Sequence, residues 1–576
     1  MPGPRWRIHD LRVIALGVVV LLAWAAIGYR LFQVQGEDAA ALSQRGVDQR
    51  LRHEEISPKR GTIYDRDGIE LAVTVYGSAL IADPKLIRDP ALAAALLAPL
   101  IEENLADLTI KLDGDSRYVR LTGALEHTEA ALLATAIEES GLDGLTLVEE
   151  PVRIYPSGSL AAPVIGLTRL DDGSGIEGIE SIMDGALAGR AGERIVERDA
   201  AGRAIPQGEY LIEPSMPGSD VFLTIDREIQ HTAERVLGLA IEQTGSLRGA
   251  VVVLDPSTGR ILAMASLPAF DPNDRTSLLP EMLRNGAVVN VYEPGSTLKI
   301  VAVAGALEMG IVAPGTVIAT PPEITIGDET FTDAADHPRI MTVADIVAKS
   351  SNVGTIEIQR LLGNERHYAF LDAFGLGRPA SIDFAPESAG RLDHYTRWCR
   401  STCGASAAIG YGIGTTPLQL AGVYAAIANG GEWVEPHVVS RIVGPNGDQI
   451  TSEPRRRRVI SSDTARLVRT MLQQVVEGGT GHRAVLEAFT VGGKTGTSNK
   501  FDVELGAYSA DETIAWFAGM APIDDPEIVA VVVLDAPSGQ LEDGTELKFG
   551  GASAAPVFAQ IAESALHQLG VAPDRG

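Results

Sequence analysis

Ser296 and Lys299 stand three residues apart at the head of an apolar stretch, Ile300 to Glu308, that ends near Gly310. The stretch predicts a helix, on which three-residue spacing puts hydroxyl and amine on one face. A serine hydroxyl is a weak nucleophile at neutral pH and needs a proton acceptor, and a desolvated lysine can be neutral enough to serve. The helix N-terminus adds a positive end where an oxyanion would form. By itself the pair is weak evidence, because a serine three residues before a lysine often only marks an N-cap. Two further clusters follow in the same region: Ser350-Ser351-Asn352, and Lys494-Thr495-Gly496-Thr497. Each has a bland reading, a turn residue in one case and a surface strand end in the other. Their occurrence in this order within one domain outweighs those readings.

The elements that must position these residues belong to a chain too long for one core, at 576 residues. With 45% hydrophobic and 22% charged residues it has ample apolar surface to bury. Gly249 to Asp255 and Arg260 to Ala265 are apolar runs joined by Pro256-Ser257-Thr258-Gly259, which predicts a hairpin. Far downstream, Thr513 to Met520 and Ile528 to Leu534 predict buried strands, and Ala552 to Leu569 a helix. The expected domain is a sheet closed by strands from both ends of the segment, with helices between. Val221 to Asp226 predicts a strand leading into a helix through Leu239, and the Pro and Gly of Glu213 to Gly218 place a boundary before it. Upstream, Arg60 to Ala72 reads as two short strands about an Asp67-Gly68 turn. Residues 90–110 and 128–140 have helical spacing, and Arg153 to Glu180 is rich in Gly and Pro, so this half mixes α and β irregularly. The run Arg455 to Arg458 reads as a solvated loop, with lipid or phosphate contact the minority reading.

Charge and cysteine content exclude whole classes. Lys and Arg number 48 against 76 Asp and Glu, a net charge of −28, which disfavours nucleic acid as a partner. Two cysteines cannot build a disulfide framework or a four-thiolate zinc site. Near the N-terminus, the 17 residues Val13 to Tyr29 carry no charge and would span about 25 Å as a helix. Arg12 and Arg30 can snorkel, and Trp24 and Tyr29 suit an interface. A membrane anchor is expected. A cleaved signal peptide is the rival reading, because Ala23-Trp24-Ala25 loosely matches a small-x-small site. Arginines flank both ends of the span, so charge counting alone leaves orientation open, and a short cytoplasmic tail with exported domains is favoured.

The ordered set Ser-x-x-Lys, Ser-x-Asn and Lys-Thr-Gly is similar to that of class A β-lactamases and penicillin-binding proteins. The likeness extends over nearly the whole chain. Arg60-Gly61-Thr62-Ile63-Tyr64-Asp65-Arg66 with Gly68 and Leu71-Ala72, and Arg153-Ile154-Tyr155-Pro156 with Gly158, Gly166, Gly175 and Gly178, resemble the N-terminal module of class B penicillin-binding proteins, which sets ordinary β-lactamases aside. Glu293-Pro294-Gly295-Ser296, Ser350-Ser351-Asn352-Val353-Gly354 and Tyr411-Gly412-Ile413-Gly414-Thr415-Thr416-Pro417-Leu418-Gln419 look like the division-specific branch. The elongation branch usually has Pro-Pro-Gly-Ser and Ser-x-Asp. Trp398 to Ser406, which holds both cysteines, matches no family pattern.

This resemblance implies a multidomain α+β protein: a cytoplasmic tail 1–12, a transmembrane helix 13–31, an irregular elongated pedestal module 32–215, and a transpeptidase domain 216–570 with an antiparallel sheet and flanking helices. It implies that Ser296 attacks the penultimate D-alanine carbonyl of a peptidoglycan stem peptide and that Lys299 takes the hydroxyl proton. Ser350 would relay that proton, and Asn352 would hold the substrate amide. Lys494, Thr495, Gly496 and Thr497 would receive the peptide carboxylate, with the N–H groups of Ser296 and Thr497 as oxyanion hole. It implies β-lactams as covalent inhibitors, residence in the inner membrane, and a polytopic glycosyltransferase and other division proteins as partners, with no cofactor and no metal. An elongation or sporulation transpeptidase, or a non-catalytic penicillin-binding scaffold, are the competing readings. For Cys399 and Cys403, four-residue spacing in an exported domain permits a disulfide near the rim of the site, against two unpaired thiols.

Overall fold

The computed structural model describes residues 8–575 except 41–43, 45–50, 124, 126, 199–203, 381–382, 385 and 503–505. The chain divides into two compact units, residues 1–58 with 189–217, and residues 59–188 with 218–576.

In the first unit, Ile8–Phe32 is a helix, and Leu11–Gly36 contains a stretch long and apolar enough to cross a membrane, with none of it buried by protein. The strands Leu51–Ile56, Gly192–Arg198 and Ala204–Glu213 form an antiparallel sheet with Gly192–Arg198 at its centre.

The second unit is organised about a five-stranded antiparallel sheet in the order Ile261–Leu267, Arg248–Leu254, Ile528–Asp535, Ala507–Ala521, Gly492–Asp502. Strands from both ends of the segment thus close one sheet, as the apolar runs predict. Those runs are continuous because both faces are covered. Val252, Leu254, Val529, Val531 and Val533 enter a core with the helices Lys299–Glu308, Pro417–Ala428 and Ser462–Gly478. Their neighbours Val251, Val253, Ala530, Val532 and Leu534 enter a second core with Arg227–Thr244 and Ala554–Gln568. Successive side chains of a strand point to opposite faces, so each strand feeds both cores.

The hairpin expected at Arg60 to Ala72 is present: Ile63–Tyr64 pairs antiparallel with Glu70–Ala82 and parallel with Val221 and Phe222. The stretch 90–110 breaks into two helices, Pro90–Leu97 and Leu105–Leu112, capped by Asp89 and Asn104. The resemblance-bearing arginines converge on Glu180, which is fully buried. Arg60 Nε donates to Glu180 Oε2 at 2.6 Å and Arg153 Nε to Oε1 at 2.6 Å, while Arg60 Nη1 reaches Asp184 Oδ1 at 2.7 Å. The glycines around it are required by close approach: a Cβ on Gly166, at φ +80°, would fall 1.7 Å from Glu177 O.

One expectation is corrected. Arg455 to Arg458 is not a free loop, because Arg456–Arg458 pairs antiparallel with Glu432–Val434. Arg457 lies over the Trp433 ring at 3.6 Å, and Arg455 Nη2 meets Glu435 Oε1 at 2.6 Å. The run is nonetheless solvated for the most part, since Arg455, Arg456 and Arg458 are exposed; what local charge density does not show is the strand partner and the aromatic face brought from elsewhere in the chain.

Candidate active site

Ser296 lies in a 3₁₀ turn, Gly295–Leu298, that runs straight into the α-helix Lys299–Glu308. In a 3₁₀ turn residues i and i+3 eclipse, so Ser296 and Lys299 share a face as their spacing predicts. The helix is apolar and buried all round from Lys299 to Leu307, which is the form of an interior helix. It carries Lys299 into the core at 3% exposure while Ser296 stays half-buried at the surface of the cleft.

Burial pushes the Lys299 amine down to about 7, with the Asp333 carboxylate pulling it back up. Lys299 Nζ donates to Ser350 O at 2.5 Å and to Ser350 Oγ at 3.3 Å. Among the described residues no hydrogen bond joins it to Ser296 Oγ. Ser350 closes the helix Val343–Lys349 in the left-handed conformation, φ +60° and ψ +38°, which is costly for a residue with a Cβ. That bend turns its hydroxyl and carbonyl towards the lysine. The next residue, Ser351, caps the helix Asn352–Leu362 by accepting from Gly354 N at 2.9 Å.

Asp333, absent from the sequence-derived set, holds this corner together. It accepts from Ser351 Oγ at 2.9 Å, from Val353 N at 3.2 Å and from Asn352 N. Its carboxylate thereby sits at a helix N-terminus, where the macrodipole favours negative charge. Asn352 Nδ2 donates to Thr332 O at 2.8 Å, so the amide is turned along the Glu329–Thr332 strand. Nothing local to Asp333 signals this role, since its partners lie 18 to 20 residues on.

Lys494 to Thr497 sit on Gly492–Asp502, the edge strand of the five-stranded sheet. Lys494 is 1% exposed, and its amine is held well below the ordinary lysine value by burial and then by the neighbouring charge of Lys299. Its Nζ donates to Thr495 O at 3.1 Å. Thr495 Oγ1 pairs with Thr480 Oγ1 at 2.7 Å, and Thr497 Oγ1 accepts from Gly550 N at 3.1 Å. The strand lies hard against the serine turn. A Cβ on Gly295, at φ +53°, would fall 2.8 Å from Thr497 O, and one on Gly496 would fall 2.7 Å from Pro294 O. Glycine at both positions lets the two backbones approach this closely. Behind the turn, the buried Tyr424 donates its hydroxyl to Thr297 O at 2.9 Å.

The structure therefore brings Lys299 onto Ser350, and the Thr497 strand onto the Ser296 turn. Cys399 and Cys403 are joined as a disulfide with Cα atoms 5.3 Å apart. Cys403 lines a cavity of about 460 Å³ with Trp398, Tyr411, Tyr508 and Asn499, of which Asn499 lies on the Gly492–Asp502 strand just beyond Thr497. A hydroxyl one turn from a buried amine, a second hydroxyl on that amine, and two backbones in close approach are parts that serine acyl transfer can use.

The penicillin-binding protein transpeptidase domain family matches residues 249–563, and the penicillin-binding protein dimerisation domain family matches residues 55–223. Penicillin-binding protein PbpB of Mycolicibacterium smegmatis is 34% identical over 97% of this chain and 91% of its own length. Peptidoglycan D,D-transpeptidase FtsI of Escherichia coli K12 is 33% identical over 96% of this chain and 91% of its own. Among solved structures, penicillin binding protein 3 of Mycobacterium tuberculosis complexed with aztreonam matches with a TM-score of 0.71 and 31% identity, covering 90% of this chain and 98% of that one.

Proposed function

The chain belongs to the class B penicillin-binding proteins, and on that premise we propose that it is a membrane-anchored D,D-transpeptidase cross-linking peptidoglycan at the division septum. The observation that carries the reading is the buried amine of Lys299, brought down to about 7, placed on Ser350 and one 3₁₀ turn from Ser296.

In this reading Ser296 Oγ attacks the penultimate D-alanine carbonyl of a donor stem peptide. Lys299 takes the hydroxyl proton, and Ser350 passes it to the nitrogen of the terminal D-alanine as the C–N bond breaks. The product is a serine ester and free D-alanine. An acceptor stem-peptide amine then attacks the ester carbonyl, the C–Oγ bond breaks, and the proton released by that amine returns to Ser296. The N–H groups of Ser296 and Thr497 hold the oxyanion in both halves. Asn352 holds the donor amide, and Lys494, Thr495, Gly496 and Thr497 receive its carboxylate. Burial holds the Lys494 amine below the ordinary lysine value and an arriving carboxylate would draw it back up, so carboxylate binding and the charge of Lys494 reinforce each other. β-Lactams would acylate the same serine.

We take residues 13–31 as an inner-membrane anchor, with 1–12 cytoplasmic, 32–215 as the pedestal and 216–570 as the transpeptidase domain facing the periplasm. A polytopic glycosyltransferase is the expected membrane partner, together with other division proteins. Glu293-Pro294-Gly295-Ser296 and Ser350-Ser351-Asn352 favour the division role over elongation.

Labelling with a fluorescent penicillin tests the chemistry: the native chain should form a covalent adduct and Ser296→Ala none. An adduct on the alanine variant would remove Ser296 as nucleophile. Isolated stem peptides should be cross-linked by the native chain only, which separates a transpeptidase from a penicillin-binding scaffold. Depletion in the host should give filaments, and round cells would move the protein to elongation. Carbonate-washed membranes should retain it, and mass spectrometry finding cleavage after Ala25 would overturn the anchor.

A further inference from the structure

Glu293, three residues before Ser296, makes more contacts than its place in a loop would require. Its carboxylate is 11% exposed, and one oxygen, Oε1, accepts from three separate segments. These are the Gly412 backbone N at 2.9 Å, the Tyr508 hydroxyl at 3.0 Å and Arg391 Nη2 at 3.0 Å. Its main-chain oxygen accepts from Ser498 Oγ at 2.7 Å and Trp516 Nε1 at 3.2 Å. Ser498 follows Thr497 on the edge strand, and both Tyr508 and Trp516 stand on the strand paired with it. One residue thus holds the serine turn, the edge strand with its partner, and the Tyr411–Gly414 loop in a fixed relation.

The neighbouring backbone runs the same way. Tyr292 and Thr415 exchange hydrogen bonds at 3.0 and 2.8 Å, and Gly295 N donates to Gly410 O at 3.3 Å. The ion pair with Arg391, whose side chain is 57% exposed, contributes little by itself. The bonds from Gly412 and Tyr508 are the stronger restraint, since each places a neutral donor on a carboxylate largely closed to water. Burial, and after it the charge of Glu293, pushes the Tyr508 phenol up to about 12, so it remains a donor through the physiological range.

We propose that Glu293 is a positioning residue for acylation: its carboxylate, through Gly412 and Tyr508, adds to the main-chain bond from Ser498 and fixes the separation of the Ser296 and Thr497 backbones, and so the oxyanion hole they form. The proposal rests on the reading of Ser296 as nucleophile. It concerns the acceptor geometry of the side chain rather than its charge, and this distinguishes it from a general contribution to the fold.

The test measures fluorescent-penicillin acylation of the full chain per titrated active site, resolved into maximal rate and half-saturating concentration, for Glu293→Ala, Glu293→Gln and Tyr508→Phe. In Glu293→Ala the maximal rate should fall about thirtyfold with half-saturation little changed, as expected for a misplacement of the reacting groups. Glutamine keeps an acceptor for Gly412 and Tyr508 and should restore the rate to within about threefold of native. Tyr508→Phe, at a half-exposed phenol, should lower it about fivefold and carries the test if the alanine variant does not fold. A maximal rate per active site unchanged in Glu293→Ala or in Tyr508→Phe, or a glutamine variant as slow as alanine, would overturn the proposal. Native protein that takes up no penicillin would instead overturn the reading of Ser296.

Discussion

At neutral pH the amine of Lys299 stands near its midpoint, since burial lowers it from 10.5 to about 7 and only the neutral form can accept the Ser296 proton. Above that value the amine is free, and below it the amine is occupied. Acylation by a β-lactam should therefore rise between about pH 6 and 8 and then level off, and a rate flat across that interval would remove Lys299 as the base. Asp333 opposes the shift, so Asp333→Asn should move the midpoint to lower pH while weakening the cap on Asn352–Leu362. The direction of that movement separates an electrostatic effect of Asp333 from simple loss of the corner, which would lower the plateau without moving the midpoint. Lys299→Ala should be nearly as damaging as Ser296→Ala, because nucleophile and base act as a unit.

Among the elements, the helix ending at Ser350 stores strain where the chemistry is placed. A non-glycine residue at φ +60° costs on the order of 1 kcal/mol, and glycine there is relieved of it. Ser350→Gly should accordingly melt at or slightly above the native temperature while losing most of its acylation rate, since the hydroxyl beside Lys299 is gone. Calorimetry on the same sample used for labelling reads both, and a melting point several degrees lower would mean that the hydroxyl itself holds the corner. The Cys399–Cys403 bond acts on a smaller scale. Closing so short a loop contributes roughly 2 kcal/mol in the chain-entropy model, so reduction should loosen the segment around Trp398 without unfolding the domain.

Taken whole, the second unit relies on buried charge as well as on its apolar cores. Glu180 accepts from both Arg60 and Arg153 at full burial, and Glu180→Ala would leave two guanidinium groups facing each other with one shared partner removed. Breaking a buried pair in this way costs about 3 to 5 kcal/mol, which a denaturant midpoint would report, and a loss below about 1 kcal/mol would mean that water enters the site freely. How this architecture relates to the sequence differs from element to element. The apolar runs 249–255, 513–520 and 528–534, the span 13–29 and the three motifs were legible because each rests on a local pattern: a short continuous apolar run, helix length, or a hydroxyl and an amine a turn apart. Their order along the chain, with its likeness to a known family, was enough for the fold class and made Ser296, Lys299, Ser350, Asn352 and Lys494 the candidates for the site. Which strand would lie at the edge was not legible, and neither were Asp333 at the Ser-x-Asn corner or the meeting of Gly412, Tyr508 and Arg391 on Glu293. Arg455 to Arg458 are largely exposed, as their charge suggests, but their pairing with Glu432–Val434 and the Trp433 ring under Arg457 were not legible. In each of these cases the partners are brought from far along the chain, and the free energy of a hydrogen bond or an ion pair is set by the burial and geometry that tertiary packing creates, which no local pattern of residues encodes.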